Sequence, residues 1–388
     1  MSNKSIKIKN FFFKKNLSIK KKNISNLLKN LISSDSQILS SMKKSYRDSY
    51  SKKIFSSLKN RRNVDLIGMG GSILGAKAIY SFLKPKKKFN FIDNFSNFSP
   101  KKNDGKNINL IISKSGNTLE TISNTNVLIN KKKKNIFITE NKNSYLMSLA
   151  NKLKAEIIHH NNFIGGRYSV LSEVGMLPAE LMGFKPEKFR RLNDILKNKK
   201  FINLLIEGVC NILTLNKDNI TNSIILNYDD RSNDLFSWYQ QLVAESLGKK
   251  NKGILPVISV MPRDNHSLMQ YYLDGVKNNF FTLFFVKEKK SKKINNKSIL
   301  KSNFYLKNKS LNDISFSQFC ATENVFKKKK LPFRSFIIDK RNEEILGELF
   351  TFFILETILL GMAMKINPFD QPAVELIKTD TIKILKNS

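Results

Sequence analysis

The sequence predicts an α/β protein with two doubly wound, parallel sheets that are flanked by helices. Short apolar runs alternate with helical patterns along the chain, and such alternation builds parallel sheets. One set of runs lies before residue 160 and another lies after residue 220, so we expect two sheets. The chain has 388 residues, 41% of them hydrophobic, which is enough for two domains with substantial cores.

The first predicted sheet occupies the first half of the chain. We expect its strands at residues 64–67, 89–92, 108–112, 135–139 and 155–158 and its helices at residues 73–83, 144–153 and 170–181. Short strands that are apolar along their whole length are typical of parallel sheets covered on both faces. This pattern indicates a doubly wound unit with a crevice at the carboxyl ends of its strands.

The second predicted sheet has strands at residues 223–228, 253–261, 280–286 and 331–338. A helix from Ser232 to Leu247 follows the first of these strands, because Ser favours a helix start and Gly248 a helix end. The apolar run 346–364 contains two glutamates, so a buried helix explains it better than a membrane span. We divide the chain into an N-terminal helical segment (1–60), a first domain (61–165), a second domain with connecting helices (166–340) and a C-terminal helical segment (341–388).

A hydroxyl-rich turn follows the strand predicted at 108–112 and precedes a helical pattern. Its donors are the hydroxyls of Ser113, Ser115 and Thr118 and the ammonium of Lys114. The unpaired N–H groups of a helix start and the positive end of the helix dipole attract a phosphate to such a turn. An ordinary capped turn is the alternative for any single turn of this kind.

A glycine-rich turn after the first strand gives the phosphate interpretation independent support. Gly70 and Gly71 allow a ligand to approach the backbone closely, and Ser72 offers a hydroxyl at the start of the next helix. The spacing of GMGGSILG is not that of a dinucleotide-binding fingerprint, and Asp93 matches the expected acidic residue poorly.

Three further stretches carry candidate catalytic side chains. The double glycine at Gly165 and Gly166 leaves Arg167 free to point into a cleft, although a surface ion pair is the commoner fate of an arginine. Gln241 and Glu245 lie four residues apart and share a helix face. Glu245 lies in the last helical turn, where the negative dipole end disfavours its charge, as a base acting near neutral pH requires.

His266 is one of three histidines and follows a predicted strand, a position suited to acid–base chemistry. A capping role is the simpler alternative for a single histidine. His159 and His160 are adjacent and point to opposite sides of an extended segment, so they cannot chelate together. No His/Asp/Glu cluster has ligand spacing, so we expect neither a metal nor another cofactor.

The net charge of +37 suggests a nucleic-acid-binding protein, but the composition does not favour that class. Of the 68 basic residues only 10 are arginine, whereas base and phosphate readers usually depend on its bidentate fork. Lys, Asn, Ile and Phe are enriched together, which a genome rich in A/T codons explains. We expect no specific nucleic-acid partner.

The two cysteines and the N-terminal sequence indicate a soluble, cytoplasmic protein. Cys210 and Cys320 lie in helical patterns without a CxxC partner, so no disulfide framework is indicated. The first residues contain only three consecutive apolar side chains, too few for a signal sequence, and we expect no membrane association.

Six stretches, taken together, resemble the glucose-6-phosphate isomerase family, whose members contain two sugar-isomerase domains. They are GMGGSILG, ISKSGNTLET, GGRYSVLSEVG, QLVAESLGK, DNHSLMQ and FDQPAVELIK, and they follow the family's order between about residue 64 and residue 378. The resemblance implies reversible conversion of glucose 6-phosphate to fructose 6-phosphate in glycolysis and gluconeogenesis, without a cofactor. It also implies two flavodoxin-like sugar-isomerase domains.

The resemblance assigns a role to each matching residue. The residues that would hold the sugar phosphate are Gly71, Ser72, Ser113, Lys114, Ser115, Thr118 and Gly166. Glu245 would move a proton between C2 and C1 through a cis-enediolate, which Arg167 would stabilise, and Gln241 would position the substrate. His266 and Lys378 would open the sugar ring, with His266 supplied by the partner subunit of a homodimer.

Two departures from the family pattern and one alternative function accompany this interpretation. Asn117 stands where a threonine is common, and Ala373 stands where a glycine is expected. The alternative is a non-catalytic sensor of sugar phosphates with the same fold. The joint presence of Glu245, Arg167 and the ring-opening pair favours the enzyme.

Overall fold

The structure is a computed structural model that describes residues 6–9, 17–95, 107–129 and 133–387. The strands are β1 Ile6–Lys9, β2 Asn63–Gly68, β3 Lys88–Ile92, β4 Ile108–Ile112, β5 Lys134–Thr139, β6 Glu156–His159, β7 Asn222–Asn227, β8 Leu255–Val260, β9 Asn279–Val286 and β10 Phe333–Ile338. The helices are α1 Lys21–Ser33, α2 Gln37–Ser41, α3 Lys52–Lys59, α4 Leu74–Leu83, α5 Leu119–Leu128, α6 Tyr145–Lys152, α7 Glu173–Leu181, α8 Pro186–Phe189, α9 Leu192–Lys197, α10 Lys199–Lys217, α11 Asn233–Leu247, α12 Met269–Asp274, α13 Leu311–Lys328, α14 Glu343–Ala363 and α15 Val374–Asn387.

The first sheet has the order β3-β2-β4-β5-β6, and all its strands are parallel. Every residue of β4 is buried, as expected for a strand covered on both faces. Strand β3 lies on one side of β2, and β4, β5 and β6 follow on its other side. The strand order therefore reverses between the adjacent strands β2 and β4. Gly68 at the end of β2 pairs with Ile112 at the end of β4, so the two turns predicted to bind phosphate start side by side.

The second sheet has the order β1-β10-β9-β7-β8. Strands β7 to β10 are parallel and repeat the doubly wound arrangement, which confirms the predicted fold class. The antiparallel strand β1 was not predicted, because the N-terminal segment was expected to be mostly helical. Its sequence Ile-Lys-Ile-Lys does have the two-residue period of a strand, and Lys9 at its end pairs with the buried Glu323 at 3.0 Å.

Helix α14 is the central helix of the fold. It is long and apolar enough to cross a membrane, but it is buried against α1, α8, α10 and α11. Its Glu356 accepts a hydrogen bond of 2.9 Å from Nη2 of the equally buried Arg334, so this charge is compensated inside the core. The prediction of a buried helix is therefore confirmed.

The helix predicted at 170–181 is divided in two. A 3-10 segment, Gly166–Leu171, is followed by α7, and Ser172 lies between them with extended backbone. The two pieces pack closely, because a Cβ atom at Gly175 would lie 2.0 Å from the carbonyl oxygen of Val170. Arg167 lies in the 3-10 segment, and its side chain contacts α11.

Candidate active site

Three hydroxyls converge in the turn between β4 and α5. Ser113 Oγ lies 2.9 Å from Thr118 Oγ1, and Ser115 Oγ lies 3.5 Å from the same atom. Thr118 is the N-cap residue of α5, yet its side chain does not cap the helix. Among the described residues no side chain accepts from the first N–H groups of α5, and such free donors can bind an anion.

The ammonium of Lys114 points towards the connector that follows β6. Lys114 Nζ donates to the carbonyl of Asn162 at 2.8 Å and lies 3.5 Å from Glu140 Oε1. Lys114 also lines an open cavity of about 560 Å³ together with Gly165 and Tyr168. The lysine therefore links the hydroxyl turn to the connector that precedes Arg167.

The glycine turn after β2 contacts the rest of the site through its backbone. A Cβ atom at Gly71 would lie 2.1 Å from the carbonyl carbon of Gly166, so only glycine fits there. Gly70 has a φ of +52°, and a Cβ atom on it would lie 2.7 Å from Nε2 of Gln241. The two glycines thus allow the Arg167 connector and α11 to approach β2, a packing requirement that the sequence did not reveal.

Arg167 is 2% exposed, donates four hydrogen bonds and forms an ion pair with Glu245. Its acceptors are Ser246 Oγ at 2.8 Å from Nε, Gln371 Oε1 at 2.8 Å and Glu245 Oε1 at 3.0 Å from Nη1, and the carbonyls of Pro368 at 2.7 Å and Asp370 at 3.0 Å from Nη2. One guanidinium therefore joins α11 to the loop before α15. Its orientation is fixed without a ligand, as preorganised electrostatic stabilisation requires.

Glu245 and Gln241 meet Arg167 on one face of α11. Gln241 Nε2 donates to Glu245 Oε2 at 2.9 Å, while Glu245 Oε1 faces Arg167. The carboxylate of Glu245 therefore lies between an amide donor and a guanidinium. Gln241 Oε1 is buried and accepts no hydrogen bond from any described residue. A buried acceptor without a donor is the feature expected where a ligand hydroxyl binds.

The sequence reasoning missed four members of this cluster, namely Tyr168, Ser246, Lys249 and Gln371. Tyr168 Oη lies 2.8 Å from Ser246 Oγ and donates to the carbonyl of Pro368 at 3.0 Å. Each missed residue lies in the same motif as a predicted one. Their neutral or abundant side chains gave no signal, because only the folded contacts distinguish them from other residues of their type.

His266 and Lys378 do not contact this cluster within the described part of the chain. His266 is exposed in the 3-10 turn Arg263–His266, beyond β8 at the edge of the second sheet. Lys378 lies on α15, which has no buried residue, and its Nζ pairs with Glu375 at 2.6 Å. A single chain therefore assembles the anion turn, Arg167, Gln241 and Glu245, and leaves the other two residues outside. No group of three metal-binding side chains occurs in the residues described.

Comparison with known proteins gives a consistent result. The family model of phosphoglucose isomerase matches residues 20–388. The glucose-6-phosphate isomerase of Methanocaldococcus jannaschii is 33% identical over 86% of both chains, and that of Mycoplasmopsis pulmonis is 33% identical over 83% of this chain and 82% of its own.

Solved structures show the same fold. A hypothetical protein from Thermus thermophilus superposes with a TM-score of 0.80 at 22% identity and covers 94% of both chains. A glucose-6-phosphate isomerase from Chlamydia trachomatis superposes with a TM-score of 0.71 at 17% identity, over 95% of this chain and 86% of the other.

Proposed function

The chain belongs to the phosphoglucose isomerase family, and we infer that it catalyses the reversible isomerisation of glucose 6-phosphate to fructose 6-phosphate. Relatives that carry this activity in their names match about 85% of the chain. The observation that carries the proposal is the contact between the buried Arg167 and Glu245, next to Gln241 with its unused acceptor. An aldose–ketose isomerase needs a carboxylate base beside a fixed positive charge.

The phosphate of the substrate binds at the hydroxyl turn. Ser113, Ser115 and Thr118 supply hydroxyl donors, and the uncapped start of α5 supplies N–H groups and a favourable dipole. Lys114 contributes positive charge at the mouth of the cleft, and Ser72 lies at the neighbouring turn after β2. Binding energy from this anion handle orients the reacting carbons, which do not carry the charge themselves.

Proton transfer takes place at Glu245. The carboxylate removes the proton from C2 of the open-chain aldose, and the cis-enediolate that forms carries negative charge on its oxygens. Arg167 stabilises that charge, because its guanidinium is held in place by five acceptors and need not reorganise. Glu245 returns the proton to C1. Gln241 Nε2 donates to Oε2 of the base, and its Oε1 accepts a hydrogen bond from a substrate hydroxyl.

Ring opening is assigned to His266 and Lys378, and this assignment requires a second subunit. His266 is exposed at an outer edge of one chain, so we propose that it enters the cleft of a partner in a homodimer. Lys378 reaches the cleft of its own chain when α15 packs over it. Val374, Ile382 and Leu385 lie on the helix face that carries Lys378, so covering these apolar side chains turns the lysine inward. We expect the dimer to be cytoplasmic.

A coupled assay of fructose 6-phosphate formation tests the proposal. We expect activity from the EDTA-treated wild type and a loss of about 10³-fold in kcat for Glu245→Gln, since a general base contributes roughly 10²–10⁴-fold. Glu187→Gln, at an exposed position of α8, is a matched control that should retain activity. An inactive wild type that binds the sugar phosphate tightly would establish the sensor instead.

A further inference from the structure

Residues 367–371 lie in the loop that connects the core helix α14 to α15, the helix with Lys378. Its backbone carbonyls point inward. Arg167 Nη2 binds those of Pro368 and Asp370, and the side chain of Gln371 binds Arg167 Nη1. Gly361 on α14 leaves space for the loop, because a Cβ atom there would lie 2.9 Å from Pro368. The position of this loop therefore decides where Gln371 lies and where α15 begins.

A second cation holds the same loop. The ammonium of Lys249 donates to the carbonyl of Asn367, to the carbonyl of Asp370 and, at 2.7 Å, to Asp370 Oδ1. These three acceptors match the three protons of an ammonium. The Lys249 side chain is only 11% exposed, which is unusual for lysine and indicates a fixed contact.

Lys249 is placed to couple this loop to the base. It follows Glu245 by four residues, just past the end of α11, so α11 supplies both the carboxylate and the loop anchor. Among the described residues its Nζ is hydrogen-bonded to loop atoms alone and to neither Glu245 nor Gln241. The hydrogen bond from Lys249 holds the pKa of Asp370 below its usual range, consistent with a stable contact.

We propose that Lys249 is a positioning residue that anchors the 367–371 loop to α11 and thereby sets Gln371 against Arg167 and fixes the start of the helix that carries Lys378. The inference rests on the proposed function for the part that concerns Lys378. Without Lys249, the carbonyl of Asn367 and Oδ1 of Asp370 lose their cation, while Arg167 keeps its own contacts. The origin of α15 is then free to shift, and a shift of about 1 Å in a catalytic group can cost roughly 10²-fold in rate.

The test compares Lys249→Met with Lys250→Met, whose side chain is exposed at the neighbouring position. Each variant is assayed with glucose 6-phosphate and with a 4,5-dideoxyhexose 6-phosphate, an aldose that cannot cyclise and needs no ring opening. For Lys249→Met we expect kcat with glucose 6-phosphate to fall at least about tenfold, and kcat with the acyclic aldose to fall about threefold or less. KM should change little, and Lys249→Arg should recover most of the activity.

Two results would overturn the inference. One is unchanged kcat for Lys249→Met with both substrates. The other is an equal loss with both substrates together with a lowered Tm, which indicates a purely structural role. If Lys249→Met does not fold, Asp370→Asn removes the charge from one of the three contacts, and it should show a smaller loss with the same preference for the acyclic substrate. A wild type inactive on glucose 6-phosphate would refute the proposed function itself, which separates the two failures.

Discussion

The two sheets share the order of four parallel strands, but their equivalent crevices contain different chemical groups. The first crevice, between β2 and β4, contains serine and threonine hydroxyls and the uncapped start of α5. The second crevice, between β7 and β9, contains an ion network. Arg341 Nη1 binds Asp229 Oδ2 at 2.9 Å and Arg341 Nε binds Glu288 Oε2 at 3.2 Å.

This network also closes the second crevice against the first half of the molecule. Arg231 Nη2 donates to the carbonyl of Phe82 at the end of α4, at 2.6 Å, and its Nη1 binds Glu288. The guanidinium of Arg341 lies 4.9 Å from the centre of the Phe82 ring. The ion network of the second crevice thus connects the two halves of the molecule, while the first crevice has hydrogen-bond donors available for a ligand. The same fold produces an equivalent crevice in each sheet, and the side chains determine which crevice can bind a ligand.

The largest expected effect comes from Gly71→Ala, which would push the Arg167 connector away from the first crevice. The added Cβ would lie 2.1 Å from backbone atoms of Gly166, a clash that no side-chain rotation relieves. We expect the free energy of unfolding to fall by about 4 kcal/mol, at the upper end of single substitutions, with activity lost. Gly165→Ala is the matched control, since its Cβ meets only Tyr168 at 3.7 Å. Equal Tm values for the two variants would contradict the packing argument.

Arg341→Met should disrupt the ion network of the second crevice without changing the first crevice. Arg341 and Asp229 are about nine-tenths buried, and removing one partner leaves the other charge without compensation. We expect a loss of about 3 kcal/mol in the free energy of unfolding, measured by urea denaturation, with KM for glucose 6-phosphate unchanged. A large rise in KM for the folded variant would show that the second crevice also contributes to binding.

Ser115→Asp should weaken substrate binding while leaving the stability of the fold nearly unchanged. Ser115 is exposed, so a carboxylate costs the fold little, but it would repel a phosphate at the hydroxyl turn. We expect kcat/KM to fall about 100-fold, or roughly 2.7 kcal/mol, mainly through KM, with Tm preserved. The exposed Ser302→Asp serves as control. An unchanged KM for Ser115→Asp would show that the phosphate does not bind at this turn.

The smallest effect concerns a buried imidazole behind the first crevice. Burial lowers the pKa of His160 to about 4. Since the folded pKa is below the unfolded value of about 6.5, the neutral imidazole stabilises the fold fully above pH 6.5, and this contribution is lost as the pH falls towards 4. It amounts to about 2 kcal/mol between pH 7 and pH 5. His160→Gln should remove that part of the slope in unfolding free energy against pH, and identical slopes would contradict the assignment.

Several features of the fold could be predicted because they are local. Strand β4 has the predicted bounds, and α11 ends at Leu247 as Gly248 indicated. The strand β1 was missed, although its alternating pattern was visible, because a four-residue strand requires an edge such as β10 to pair with. Ala373 has an ordinary negative φ, so the missing glycine at that position creates no backbone strain.

The candidate site was predictable only in part. Motifs identified Arg167, Gln241 and Glu245, and the structure brings these three together. No motif indicated that the carbonyl of Pro368, 201 residues from Arg167, would accept one of its hydrogen bonds. The positions of His266 and Lys378 at the site stay predictions, because they depend on a second subunit and on the packing of α15.

By itself, the sequence determined the alternation of strands and helices, the two turns that favour an anion, and membership of a family. These properties depend on residues within a few positions of each other, through side-chain periodicity and backbone hydrogen bonding at turns. Only the tertiary structure decided that Arg167 would be buried with four hydrogen bonds, that Lys249 would hold a distant loop, and that one of two equivalent crevices would be closed by ion pairs. Desolvation and ion pairing depend on which groups meet in space, and distant parts of the chain supply those groups.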